Sequence, residues 1–216
     1  MDLPEPEPEP SASRTSDRPV RRGRPVGDHH AKRAELLAAG LSLIAELGLA
    51  STSLRKVAQQ AGCTTGAFTY YFASKEAMVL AIAEHLFDRF DTLLTPIASA
   101  PDLPAAFRIW LEQATASDLW LAHNQLLTQA RYAPALAEVF ARRYTRYRSA
   151  LAAILQARQA EGRLRRDIPA DILADQLCAL GDGWAMMMPI EPARFDAGRM
   201  EKLLDALARL LAPPAL

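Results

Sequence analysis

Cysteine is scarce. The 216-residue chain has two, Cys63 and Cys178, far apart and in no paired-ligand spacing, which argues against both a disulfide framework and a structural zinc site. Long apolar runs are missing too. The first ten residues hold four acids and alternating prolines, where a secretory signal would need an apolar stretch. No uninterrupted run of about 18 apolar residues follows to span a bilayer. The expectation is a cytoplasmic protein without a membrane span. No segment sustains strict alternation of apolar and polar residues with β-branched enrichment, so no sheet is expected. No Gly-rich phosphate loop, metal-ligand cluster or nucleophile–base arrangement stands out either. The chain is expected not to be an enzyme and to carry no cofactor and no metal.

What is present suffices for a packed core: 50% of the residues are hydrophobic and 23% charged, an ordinary globular balance. The length allows one large domain or a small one joined to a larger one. Twenty-five bases balance twenty-five acids, but unevenly. Residues 11–75 hold ten bases against four acids, whereas the first ten residues and the stretch from residue 76 onward are acidic. One end of the molecule is therefore electropositive and suits a polyanionic partner.

Residues 1–27 are rich in Pro, Ser, Arg and Glu and have almost nothing to bury, so they read as a disordered tail. Within it, Arg21-Arg22-Gly23-Arg24-Pro25 is similar to an AT-hook core. Such an extended segment lays arginines, here Arg22 and Arg24, along a narrow minor groove. A solvated basic linker is the competing reading.

Helical periodicity starts at His29. Leu37, Leu41, Ile44 and Gly48 share a face that Leu36, Leu43 and Leu47 widen, and Gly48 closes the segment. Ser51-Thr52-Ser53 starts a short helix with Leu54, Val57, Ala58 and Ala61 on one side, stopped at Gly62. Thr64 caps another, in which Phe68 and Phe72 point inward, and Ser74 caps a fourth running toward Leu94. Loops are expected at Ala100-Pro101-Asp102, near Ala116-Ser117-Asp118, at Ala133-Pro134, at Glu161-Gly162 and from Pro189 to Pro192. The fold class is all-α.

Two short helices joined through Ala61-Gly62-Cys63 and braced by a longer one make the pattern of a helix-turn-helix unit. Ala58 permits a close crossing, Gly62 takes the left-handed turn position, and Cys63 is a small buried plug. The second helix then presents Thr65, Thr69 and Tyr70 outward, with Gly66 and Ala67 small enough for close approach to DNA. Arg55 and Lys56 in one first turn, and Lys75 after its cap, oppose the helix dipole by about 0.3–1 kcal/mol each; a phosphate would remove that conflict. Candidate DNA contacts are thus Thr52, Ser53, Arg55, Lys56, Thr64, Thr65, Gly66, Thr69, Tyr70 and Lys75, with Arg22 and Arg24 from the tail.

The string Thr52-Ser53-Leu54-Arg55-Lys56-Val57-Ala58-Gln59-Gln60-Ala61-Gly62-Cys63-Thr64-Thr65-Gly66-Ala67-Phe68-Thr69-Tyr70-Tyr71-Phe72-Ala73-Ser74-Lys75-Glu76 resembles the amino-terminal signature of the TetR family of transcriptional regulators. The resemblance covers about residues 30–90. It implies an α-helical homodimer that binds a palindromic double-stranded DNA operator and releases it when a small-molecule effector enters the carboxy-terminal domain. The family commonly has tyrosine where this chain has Thr69, so a phosphate contact passes to Tyr70 or is lost. The stretch from Glu161 to Trp184 is loosely similar to the BetI-like subgroup. A division follows: residues 28–75 bind DNA, and residues 76–216 form a helical domain for effector binding and dimerisation.

In that second part, helical stretches are expected at Ala135–Ala160, Ala170–Met188 and Ala197–Leu211. Arg142, Arg143, Arg146 and Arg148 keep one side of the first wet. The resemblance implies that the latter two helices dock on their symmetry mates. Phe107, Trp110, Trp120, His123, Trp184 and Met187 are the candidate effector contacts, since rings and thioethers suit an apolar pocket. The alternative to an effector-released repressor is a ligand-independent architectural protein of the same fold that binds DNA broadly.

Overall fold

Three short capping sequences organise the amino-terminal end. The computed structural model describes residues 26–115 and 118–214, with side chains from residue 29. Arg22, Arg24 and the loop residues Ala116 and Ser117 lie outside the described residues. Helix α1 (Val26–Ser51) is interrupted at Gly48, whose φ of 77° and ψ of 159° leave helical space. A side chain there would be strained, which is why glycine closes this segment. Ser53 then caps α2 (Leu54–Gln60) by accepting from Lys56 N at 3.3 Å. Thr64 caps α3 (Thr65–Tyr71) by accepting from Ala67 N at 3.1 Å. Ser74 caps α4 (Lys75–Thr92) by accepting from Ala77 N at 3.0 Å. Each hydroxyl satisfies an N–H that the first helical turn leaves open.

The remaining elements are α5 (Leu94–Ser99), α6 (Leu103–Thr115), α7 (Asp118–Ala130), α8 (Pro134–Ala160), α9 (Ala170–Met187), a 3-10 turn at Pro192–Phe195, and α10 (Ala197–Leu211). Every regular element among the described residues is helical, as the missing strand pattern implied. Gly162, with φ 75°, turns the chain out of α8. The helix begins on Pro134, which needs no N–H donor at that position.

One continuous core runs from α1 to α10. By length and composition alone, His29–Ser51 is apolar enough to cross a membrane, with mean hydropathy 1.5, a candidate that an uninterrupted-run criterion misses. Its Leu36, Leu37, Leu41, Leu43 and Ile44 are buried, however, and α1 packs along α7, α4 and α2. At Gly40 an added Cβ would stand 2.5 Å from Ile82 Cδ1, so α1 and α4 approach closely only because that residue has no side chain.

Arg143 corrects the expectation of a wet arginine face on α8. It is buried, because α4 surrounds it with acids: Nη2 lies 2.8 Å from Asp88 and 3.0 Å from Asp91, and Nη1 lies 3.3 Å from Glu84. Its guanidinium also stands over the Phe87 ring at 5.7 Å. Removing one partner of such a buried group is costlier than losing a surface pair, so this node ties α4 to α8. Arg142, Arg146 and Arg148 do remain exposed.

Candidate nucleic-acid interface and effector cavity

The helix pair α2 and α3 is joined at Ala61, Gly62 and Cys63. Gly62 adopts φ 64°, and Cys63 N donates to Ala58 O at 2.9 Å, closing the turn against α2. Cys63 is half-buried rather than a fully enclosed plug. Val57, Ala58, Phe68 and Phe72 are buried beneath the pair, and the two phenyl rings lie 5.1 Å apart. This anchoring fixes the opposite side of α3 toward solvent. Thr64, Thr65, Gly66, Thr69 and Tyr70 are all exposed there, Tyr70 to 75%.

The hydroxyls on that face have defined duties. Thr64 accepts from its own helix and keeps a proton to donate outward. Thr69 donates to Gly66 O at 3.0 Å and is left as an acceptor. Nothing lies within 4 Å of a Cβ built on Gly66, so its small size answers no packing need within the protein. Thr52 departs from its expected role: it is buried, with 1% exposure, and donates to Gly48 O at 2.9 Å. Its hydroxyl braces the kink in α1 and is not available to DNA.

The lysines also have partners. Lys56 Nζ donates to Ser51 O at 2.9 Å, and Lys75 Nζ donates to Leu49 O at 3.2 Å and Ala50 O at 3.4 Å. Both ammonium groups converge on the carbonyls just after Gly48. The conflict with the helix dipoles is therefore eased within the protein, without need of a phosphate. Each exposed ammonium retains N–H groups for an outside acceptor. Arg55 and Ser53 stand beside them, the arginine exposed and the serine partly so.

Sequence reasoning missed His29. Its imidazole packs 4.7 Å from the Tyr71 ring and 5.8 Å from Tyr70, joining the start of α1 to the end of α3. Only the fold reveals this, since the residues are far apart along the chain with no pattern between them.

Further along α4 lies an apolar cavity. Phe87 and Phe90 of α4, Phe107 and Trp110 of α6, Trp120 of α7, and Tyr144, Tyr147 and Leu151 of α8 line it, together with Leu177, Cys178 and Asp182 of α9. Three of the expected contacts, Phe107, Trp110 and Trp120, are thus in the wall. His123 stands behind Trp120, stacked at 4.6 Å. Trp184 packs edge-on against Phe107 at 5.2 Å outside the lining, and Met187 lies toward the end of α9, also outside it. The α4, α8 and α9 members went unrecognised because their helical spacing reads as ordinary core.

Polar groups in this wall form a chain. Tyr144 donates to Asp182 Oδ2 at 3.3 Å, and His123 Nε2 meets the Tyr144 oxygen at 2.8 Å. Burial pushes His123 down to about 4, opposed by its hydrogen bond to Asn124, so the ring is neutral at pH 7. Burial pushes Asp182 up to about 6, against the Tyr144 hydrogen bond and the positive charge of Arg148. Burial raises the Cys178 thiol to about 12, and the Asp182 charge adds to that. That thiol stays protonated and unreactive. Among the described residues no group of three or more His, Cys, Asp or Glu is placed to hold a metal.

Residues 36–82 match the family described as bacterial regulatory proteins, tetR family, and residues 102–213 match the BetI-type transcriptional repressor, C-terminal. The chain is 22% identical to the HTH-type transcriptional regulator PksA of Bacillus subtilis over 180 residues, covering 82% of this chain and 88% of PksA. It is 27% identical to the HTH-type transcriptional repressor Rv1474c of Mycobacterium tuberculosis over 161 residues, covering 73% and 83%. The solved structure of Salmonella enterica GusR superposes with a TM-score of 0.70 at 23% identity, covering 84% of this chain and 95% of GusR.

Proposed function

The chain belongs to the tetR family of bacterial regulatory proteins, and from that premise we propose that it is a homodimeric repressor which leaves a palindromic operator when a small molecule fills the cavity. The observation that carries this reading is a single helix, α4, with Lys75 and the Ser74 cap beside the helix pair at one end and Phe87 and Phe90 in the cavity wall toward the other. A ligand that moves those two rings acts on the element that seats α3.

DNA contact falls to Thr64, Thr65, Gly66, Thr69 and Tyr70, with Ser53, Arg55, Lys56 and Lys75 toward the phosphates. Hydroxyls and one aromatic ring give fewer bidentate base contacts than arginine would, so shape and symmetry carry much of the specificity. Residues 28–75 act as the DNA-binding domain and 76–216 as the effector and dimerisation domain, with α4 entering both. Arg22 and Arg24 supply minor-groove contacts flanking the half-site. The reading assigns no catalytic residue, and a chromosomal operator places the protein in the cytoplasm.

A dimer is required because two reading helices must meet successive turns of one groove, roughly 34–36 Å apart. Ile172, Gln176, Ala179, Gly183 and Met186 form an exposed stripe at three- and four-residue spacing along α9. Exposed Ala206 and Leu210 and partly exposed Leu203 continue on α10. Small and apolar residues in that pattern favour close packing on a symmetry mate.

Mobility shift with the DNA upstream of the protein's own gene tests the reading. A discrete, salt-sensitive complex on a palindrome supports it. Equal binding to any A·T-rich duplex would favour the architectural alternative, and no binding to any duplex would remove both.

A further inference from the structure

The first turns of α1 lie against the last turn of α3, and aromatic rings join them. The His29 imidazole lies 4.7 Å from the Tyr71 ring, tilted by 35°, and meets Tyr70 edge-on at 5.8 Å. Tyr70 and Tyr71 in turn meet edge-on at 5.3 Å. One turn further along α1, the Arg33 guanidinium stands 5.5 Å over the Phe72 ring. The start of α1 is therefore seated on the same end of α3 that carries the exposed Tyr70.

Packing alone does not account for an imidazole at this position. His29 is exposed, and a phenyl ring would meet the two tyrosines equally well. Among the described residues neither of its ring nitrogens has a hydrogen-bond partner, in contrast to the buried His123, whose Nε2 meets Tyr144. A ring held against two others, with both nitrogens open, has a fixed place and unused polar atoms. DNA seated on Tyr70 comes within reach of them, since the two side chains touch.

Charge favours the same contact. A protonated imidazole donates from both nitrogens, gains from neighbouring tyrosine rings, and is favoured further by a phosphate beside it. By linkage, a duplex that favours the protonated ring is bound more tightly once the ring is protonated. Imidazole is the side chain whose charge ordinarily changes between about pH 5 and pH 8.

We infer that His29 is a DNA contact outside the helix pair: its imidazole donates to a backbone phosphate beside the groove that α3 enters, and takes up a proton from solvent as the complex forms. This rests on the DNA-binding reading above. Along its own helix the ionisable neighbours are Asp28, His30, Lys32 and Arg33, and on α3 they are Tyr70 and Tyr71. On α4, His85 faces Arg33, and burial together with the Arg89 charge holds its imidazole toward the neutral form. His123 is buried and neutral at pH 7, so His30 is the other exposed histidine among the described residues.

The test is fluorescence anisotropy of the full-length protein with a palindromic duplex from its own upstream region, at fixed salt from pH 5.5 to pH 8. Wild-type affinity should fall about fivefold or more across that range, and the slope of log K against log salt should be steeper by about 1 at pH 5.5 than at pH 8. His29→Gln and His29→Phe should each stay within about twofold across the range, while His30→Gln keeps the wild-type dependence. His29→Phe retains the ring packing and carries the comparison if His29→Gln melts early. Palindrome binding that does not vary with pH, or a dependence that persists in both His29 variants, would overturn the contact and leave the DNA-binding reading standing. If no duplex is bound at any of these pH values, both fall.

Discussion

Gly181 on α9 faces the Trp110 ring so closely that a Cβ at position 181 would stand 2.8 Å from Cζ3. The absence of a side chain lets the indole close on the helix at this point of the cavity wall. Gly181→Ala gains helix propensity of about 1 kcal/mol but forces the ring, which also lines the cavity, to shift. The expected net effect is a destabilisation of about 1–2 kcal/mol, read as a lower Tm, together with a changed tryptophan emission spectrum. A more stable variant with unchanged emission would mean that the contact is slack.

Arg55 and Lys75 separate two kinds of basic residue. Arg55 is exposed, so Arg55→Ala should lower the slope of log K against log salt by about 1 and leave Tm unchanged. Lys75→Ala also loses the hydrogen bonds to Leu49 and Ala50. It should therefore weaken DNA binding and cost about 0.5–1.5 kcal/mol of stability as well. Salt-dependent binding measured alongside thermal melts checks both.

Asp182 and His123 tilt the pH dependence of stability in opposite directions. The folded state holds the Asp182 proton up to about pH 6, whereas the unfolded chain releases it near 3.8. Its contribution is present below that window and is lost as pH rises from about 4 to 6. For His123, held neutral down to about 4 against an ordinary 6.5, the contribution is present above 6.5 and is lost as pH falls toward 4. Urea unfolding at pH 4 and pH 7 should show Asp182→Asn gaining about 1–2 kcal/mol on the wild type at the higher pH. An equal difference at the two pH values would contradict a carboxylate that burial holds in its protonated form.

The exposed stripe of α9 gives a prediction on assembly. A Cβ on Gly183 would meet nothing within 4 Å in one protomer, so Gly183→Arg leaves the subunit fold intact but blocks close approach of a second copy. Light scattering coupled to size exclusion should report a dimer for the wild type and a monomer for the variant, whose operator affinity falls at least tenfold. An unchanged dimer would place the interface elsewhere.

Much of this was legible in the sequence where a local rule decides structure. Ser53, Thr64 and Ser74 cap helices, Gly48 and Gly62 take positive φ, and Phe68 and Phe72 face inward, because each depends on a few neighbours along the chain. What stayed hidden depends on distant partners. Arg143 looks solvated until three α4 acids close on it, and Lys56 and Lys75 look unpaired until the chain after Gly48 brings carbonyls to them. Asp182 sits in a glycine-flanked stretch that gives no sign of the aromatic wall around it. Thr52 misled for the same reason: a hydroxyl beside a cap resembles a phosphate ligand, and only the tertiary turn shows it buried.

The central claim is that the exposed face of α3 reads DNA, and it is tested most directly by fluorescence anisotropy with a palindromic duplex from the protein's own upstream region, comparing wild type with Tyr70→Ala and Thr65→Ala at fixed salt. The account predicts that both variants melt like the wild type, yet lose at least tenfold in affinity for the palindrome and little for a scrambled duplex. Full retention of palindrome affinity by both, with the fold intact, would contradict it.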